Sequence, residues 1–202
     1  MILCNDRQVE VAAFTNTPDA GIRVGHASLV RLPDGAEVWL RLAQPEDEAS
    51  LIEMFFQLGD DTRYRYFFTG VPATETWAKR FTALGVSDGQ NSYALLAQVE
   101  ADIVGLARFD RARDNTLAAE VGILLVDGWQ SRGLGRHMLI RLSEEARRLG
   151  ITTFTGRILG ENRRALALAR NVFISPHVAW VGEYEVTTSL ELKTATPDSG
   201  GV

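Results

Sequence analysis

An apolar run, Val121-Gly122-Ile123-Leu124-Leu125-Val126, gives way within four residues to Gln130-Ser131-Arg132-Gly133-Leu134-Gly135, and this hexapeptide opens a stretch of helical periodicity. The run reads as a buried strand, and residues 134–149 place Leu134, Met138, Leu142, Ala146 and Leu149 on one face of a helix. Such a junction restricts the chain to folds in which a strand feeds directly into a helix lying on its own sheet. Two glycines let backbone N–H groups converge as the helix starts. Free amides and the positive end of the helix dipole then form a natural site for phosphate oxygens. Two readings fit the glycines: a site for a phosphate-bearing ligand, or a turn chosen for tight strand–helix packing.

Spacing narrows the ligand. A dinucleotide fingerprint needs a third glycine where Met138 stands, and a nucleotide-triphosphate loop needs Gly-Lys-Ser/Thr, which never occurs. The pattern that remains is Gln/Arg-x-x-Gly-x-Gly after a strand.

The surrounding periodicities predict a strand over residues 36–42, then a helix over 45–58 with proline and acids in its first turn. Short helices follow over 60–68 and 74–84. Strands are expected at 93–100 and 103–109, joined by a turn at Ala101-Asp102, and at 117–126 before the glycine loop. Gly150 closes the long helix. A strand over 151–158, a helix over 162–171 and two strands within 177–192 around Gly182-Glu183 complete the pattern. This is a mixed α/β (α+β) order, with a twisted sheet of six to seven strands and helices on both faces. Residues 1–30 read as a lead-in with room for one strand, 31–193 as one domain, and 194–202 as a flexible tail.

The loop and this element order together resemble the GNAT N-acetyltransferase superfamily over residues 36–192. The resemblance implies the GNAT fold, acetyl-CoA as co-substrate and a primary amine as acceptor. It implies that the pyrophosphate sits on Gln130, Ser131, Arg132, Gly133, Leu134, Gly135 and Arg136. Backbone groups near Leu124, Leu125 and Val126 would meet the pantetheine and thioester where the strand splays from its neighbour, with Gly122 a place for a bulge that drives the splay. Asn162 would contact the cofactor; it serves equally as an N-cap for its helix.

Acetyl transfer to an amine needs a way to remove the amine proton, because a lysine ammonium has a pKa near ~10.4. Glu120 opens the otherwise apolar strand, and a carboxylate there is either solvated or kept for use. The resemblance makes it the general base. A tyrosine that the family often carries seven residues after the asparagine falls here on Ala169, so that general acid is missing; Tyr184 and Ser175 are the substitutes in sequence. A thiolate leaves readily without one, thiol pKa values lying near ~8.5.

A second resemblance points to the acceptor. Arg41-Leu-Ala-Gln-Pro-Glu-Asp47, Phe55-Phe56 and Asp61-Thr-Arg-Tyr-Arg-Tyr-Phe-Phe68 are similar to the opening of bacterial Pat-type protein-lysine acetyltransferases. The Ala119-Glu120-Val121 strand, the Trp129-to-Gly135 loop and Glu161-Asn162-Arg163 match that group too. A protein lysine is therefore the expected acceptor. A small-molecule amine and a non-catalytic acyl-CoA-binding module are the alternatives.

Charge and composition bound the rest. Residues 130–170 hold nine arginines against three acids, a net +6 within a chain of net −5. A basic segment around a phosphate loop suits an anionic cofactor, although exposed helix faces also collect charge. The acidic total argues against nucleic acid. No apolar run reaches the ~18 residues of a membrane span, and no secretory signal is visible, so a cytoplasmic location is expected. Cys4 is the single cysteine, and His26, His137 and His177 lack ligand spacing, so no metal site is expected. The GNAT resemblance further implies pairing of two copies into a homodimer through late strands, and the β-branched and apolar residues of 178–192 suit that.

Overall fold

A computed structural model describes residues 27–193. The calls on Cys4, on His26, on most of the lead-in and on the tail fall outside these residues. Five helices lie on the two faces of one eight-stranded sheet, ordered β1-β2-β3-β4-β5-β6-β8-β7. The strands are β1 (Ser28–Arg31), β2 (Glu37–Leu42), β3 (Ser92–Val99), β4 (Asp102–Arg111), β5 (Ala118–Leu125), β6 (Thr153–Ile158), β7 (His177–Trp180) and β8 (Tyr184–Ser189). The helices are α1 (Glu48–Gln57), α2 (Asp60–Phe67), α3 (Glu75–Thr82), α4 (Leu134–Arg148) and α5 (Arg163–Val172). Each predicted element is present. The eighth strand, against an expected six to seven, is β1, which pairs antiparallel with β2 and straddles the expected boundary at residue 30. Its four residues alternate only between half-buried and exposed, which is why its hydrophobic period is weak.

One core layer lies under α4 and α5. Leu134, Met138, Leu142 and Ala146 of α4 pack there on Ala107, Phe109, Ala119 and Val121 of the sheet. Alternate residues of the same strands, Leu106 and Leu124 among them, face the opposite layer, where Leu51, Met54, Phe55, Tyr66 and Phe81 of α1–α3 cover them. Strand side chains alternate between faces, so a strand covered on both sides reads as a continuous apolar run. The helix predicted from residue 45 starts instead as a 3-10 turn over Pro45–Asp47. There the Asp47 carboxylate accepts from the Gln44 N–H (2.7 Å) and takes a two-pronged pair from Arg41 (2.6 and 2.7 Å).

All strand pairs are antiparallel except β5–β6. That parallel pair spans three positions, Ala118↔Thr153, Ala119↔Phe154 and Glu120↔Thr155, and then ends. Beyond it β6 stays with β8 as far as Ile158↔Tyr184, whereas β5 stays with β4 as far as Leu125↔Gly105. The sheet thus opens between β5 and β6 on the loop side of Glu120. No bulge at Gly122 drives the opening, because β4–β5 register is continuous there; the irregularity sits between Ala97 and Gln98 of β3. Gly122 answers to a different demand. A Cβ built on it would stand 3.1 Å from the Tyr66 hydroxyl, so glycine admits the α2 tyrosine against the strand. At the far edge, β7 carries exposed Trp180, and light scattering tests the expected homodimer.

Candidate active site

The opening leads into a cleft of about 460 Å³ between the end of β5, the glycine loop, α2 and α5. In an antiparallel pair the backbone groups of alternate residues point to the partner strand. The Val126 N–H donates to Val104 O (3.0 Å), which sets the phase: Leu124 and Val126 direct their backbone groups to β4, and Ile123 and Leu125 direct theirs into the gap. Of the three residues expected to offer backbone groups, Leu125 does so. Leu124 lines the cleft through its side chain, and Val126 does not reach it. Ile123 takes the missing place, and the period of two identifies it once one hydrogen bond is known.

The loop has the backbone for an anion cradle. Ser131 and Gly133 both have left-handed φ values, 61° and 88°. Gly133 is the N-cap of α4, and the first helical turn leaves its N–H groups without intrahelical acceptors. Ser131, Gly133, Gly135 and Arg136 line the cleft. Gly135 also serves the packing reading, since a Cβ there would lie 3.1 Å from Leu168 of α5.

Two expected loop contacts are not made by side chains. Arg132 turns away to pair with Asp34 (2.6 Å) and lies over the Trp129 ring at 4.1 Å. Leu134 is wholly buried in the core and has only its amide to offer. Both side chains leave the cleft, Arg132 through its pairing with Asp34 and Leu134 through core packing, while the backbone stays in place.

Gln130 acts as a brace. Its Nε2 donates to Leu125 O (3.1 Å) and to the Thr62 hydroxyl (3.0 Å), and its Oε1 accepts from Arg164 (3.4 Å). Thr62 in turn donates to Asp127 (2.6 Å), which also accepts the Gly59 N–H (2.7 Å) at the start of α2. The glycine loop, the end of β5 and α2 are thereby tied together.

Asn162 fulfils both readings: its Oδ1 accepts the Ala165 N–H (3.1 Å) as the N-cap of α5, and the residue lines the cleft. Ala169 is buried in the core, so the position seven after Asn162 does not face the cleft at all. Leu168 and Asn171 do, and neither titrates. Tyr184 packs edge-on against Trp180 (4.9 Å) and Ser175 is exposed; neither lines the cleft. Thr62, Arg65 and Tyr66 of α2 and Arg164 of α5 are wall residues that sequence reasoning missed. Arg65, Arg136 and Arg164 bring three cations to it. His137 is half-buried on α4, its pKa lowered by burial and by Arg136.

Glu120 stands where the opening starts, half-buried, with its side chain on the α1–α3 face of the sheet. Burial raises its pKa; Arg157 draws it down and Asp110 pushes it up. A raised carboxylate is better matched to proton abstraction near neutrality than an ordinary one. Among the described residues, no group of three or more His, Cys, Asp or Glu side chains is placed to hold a metal ion, and no helix is long and apolar enough to cross a membrane.

The model of the acetyltransferase (GNAT) domain matches residues 37–172, about two thirds of the chain. The chain belongs to the GNAT acetyltransferase family. As a member it is an N-acetyltransferase. Among solved structures it resembles the GNAT domain of S. lividans PAT, with a TM-score of 0.73 and 22% identity over 81% of this chain and 96% of that one. A cAMP-binding acyltransferase from Mycobacterium smegmatis matches at TM-score 0.56 and 20% identity, and 82% of this chain covers only 47% of it. A putative acetyltransferase from Salmonella typhimurium, solved with its cofactor acetyl-CoA, matches at TM-score 0.54 and 20% identity over 81% of this chain and 99% of that one.

Proposed function

We propose that this GNAT enzyme transfers the acetyl group of acetyl-CoA to a primary amine, a protein lysine side chain, by direct attack in a ternary complex, with Glu120 as general base. One observation carries the reading: β5 parts from β6 immediately after Glu120, and the opened edge leads to the cleft lined by Ile123, Leu125 and the glycine loop, with Glu120 at the start of the opening and outside the cleft lining. The residues present fit acetyl-CoA. The amides of 131–135 and the cations of Arg65, Arg136 and Arg164 suit its phosphates, and the gap-facing backbone groups of Ile123 and Leu125 suit the amides of an extended arm. When bound, acetyl-CoA supplies the activated acetyl group; the chain's own part is to orient it, exclude water and accept the amine proton.

Glu120 takes that proton directly or through one water, and its raised pKa makes it a stronger base than a solvated carboxylate. Leaving thiolate needs no acid, consistent with the non-titrating Leu168 and Asn171 on the facing helix. The similarity of residues 41–68 to Pat-type protein-lysine acetyltransferases supports lysine over a small amine.

Calorimetry with acetyl-CoA, together with CoA-thiol release on a panel of amines and lysine-bearing proteins, tests the reading. Glu120→Gln is expected to lower kcat by about 10²–10³-fold with acetyl-CoA affinity unchanged. Full turnover by this variant across pH 6–9 removes Glu120 from the role. Tight acetyl-CoA binding without amine-dependent thiol release by the wild type identifies a binding module instead.

A further inference from the structure

The side of the sheet that carries Glu120 holds a row of charges that the proposed chemistry has not yet used. Asp110 of β4 stands directly opposite Glu120 in the antiparallel register, which puts their Cβ atoms about 4.5–5.5 Å apart. Across the other edge, Glu120 pairs with Thr155, and Arg157 lies two residues further along β6 on the same face. One strand neighbour is therefore an anion and the other a cation.

Both neighbours are held in place. Arg108 grips Asp110 with two nitrogens, one at 2.8 Å. Arg157 bonds Glu183 in the β7–β8 turn at 2.8 Å, and its guanidinium lies 5.4 Å from the Phe68 ring centroid. Phe68 ends α2 with a left-handed φ of 58°, a conformation costly for a bulky side chain. That backbone carries the ring to Arg157. From α2 itself, the Tyr66 hydroxyl lies at Gly122, one step along the face from Glu120, and Arg65 turns to the cofactor cleft. From β8, Glu185 pairs in register with Arg157.

We propose that Arg157 and Asp110 are an opposed pair of positioning residues that set the charge state in which Glu120 meets the acceptor amine. This rests on the general-base reading of Glu120 and adds two residues to it. The two act in opposite senses on the carboxylate, Arg157 favouring its ionised form and Asp110 opposing it.

The test is the ratio of kcat/KM at pH 6 to that at pH 8.5, measured with acetyl-CoA and one lysine peptide in wild type, Arg157→Met, Arg157→Lys and Asp110→Asn. Titration of the peptide amine is common to all four and cancels. The ratio is expected to fall in Arg157→Met, to return toward wild type in Arg157→Lys, and to rise in Asp110→Asn. A purely structural role moves kcat or stability without these opposite changes in pH dependence. Asp110 is 45% exposed by side chain, so its variant folds and carries the test even if Arg157→Met does not. Unchanged or same-direction ratios overturn the pairing. If Glu120→Gln keeps full turnover, the base reading fails; if it loses turnover while the ratios stay put, only this inference fails.

Discussion

Thr62→Val cuts the contact between α2 and the glycine loop while preserving side-chain shape. The hydroxyl of Thr62 donates to Asp127 at 2.6 Å and accepts from Gln130 Nε2 at 3.0 Å, and the residue is buried. Each hydrogen bond contributes about 0.5–1.5 kcal/mol net. Gln130 keeps Leu125 O as an acceptor and Asp127 keeps the Gly59 N–H, so neither partner is left wholly unsatisfied. The loss then falls at about 1–2 kcal/mol, and in a domain of this size it lowers Tm by about 2–8 °C. If about 1 kcal/mol of that loss is felt where Gln130 holds the loop, acetyl-CoA Kd rises roughly fivefold. Thermal melts and calorimetry on the same preparations read both. A lower Tm with unchanged Kd refutes the coupling of α2 to the loop, and no change in either refutes the hydrogen-bond chain.

Two further outcomes are expected beside the tests on Glu120, Arg157 and Asp110. Gly133→Ala adds a Cβ with ordinary clearance (3.5 Å to Pro33) but forces alanine to a φ of 88°, so its effect is one of backbone. Acetyl-CoA Kd should rise about tenfold, and an unchanged Kd means that the loop conformation does not hold the ligand. Burial pushes the Asp47 carboxyl up, but hydrogen bonds from Arg41 and the Gln44 N–H, with the Arg41 charge, hold it below its ordinary value. A lowered folded-state pKa contributes stability above the unfolded value near ~3.9 that is lost as pH falls through the folded one. The Tm gap between wild type and Asp47→Asn should therefore be steady from pH 6 to 8 and shrink below about pH 4; a gap that ignores pH contradicts the pairing.

Local pattern made most of the architecture legible. The period of 3.6 in residues 134–149 and the β-rich runs on either side place α4 between β5 and β6, and Pro45 with the acids after it marks the start of the first helical segment. The sequence allows for strand β1 in the lead-in but does not place it, because an edge strand buries little and a half-exposed tetrapeptide has no period to read. The site divided in the same way. Gln130, Ser131, Gly133, Gly135, Arg136 and Asn162 lie in one contiguous motif or at a helix cap, where residue type follows from local backbone geometry. Thr62, Arg65 and Arg164 reach the cleft from helices whose sequences obey only their own packing, so no local signal marks them.

By itself, the sequence determined that a strand ends in a two-glycine loop at a helix start, and that a carboxylate lies ten residues upstream of it. Those are short-range facts, set by φ preferences, missing Cβ atoms and hydrophobic period. Only the tertiary structure decided that β5 leaves β6 right after Glu120, that Ile123 rather than Val126 faces the gap, and that Arg132 points elsewhere. It also set Asp110 and Arg157 on either side of Glu120. Strand register is the reason. It depends on pairing between residues far apart in the chain, and a shift of one position would turn Glu120, Ile123 and Val126 to the opposite sides.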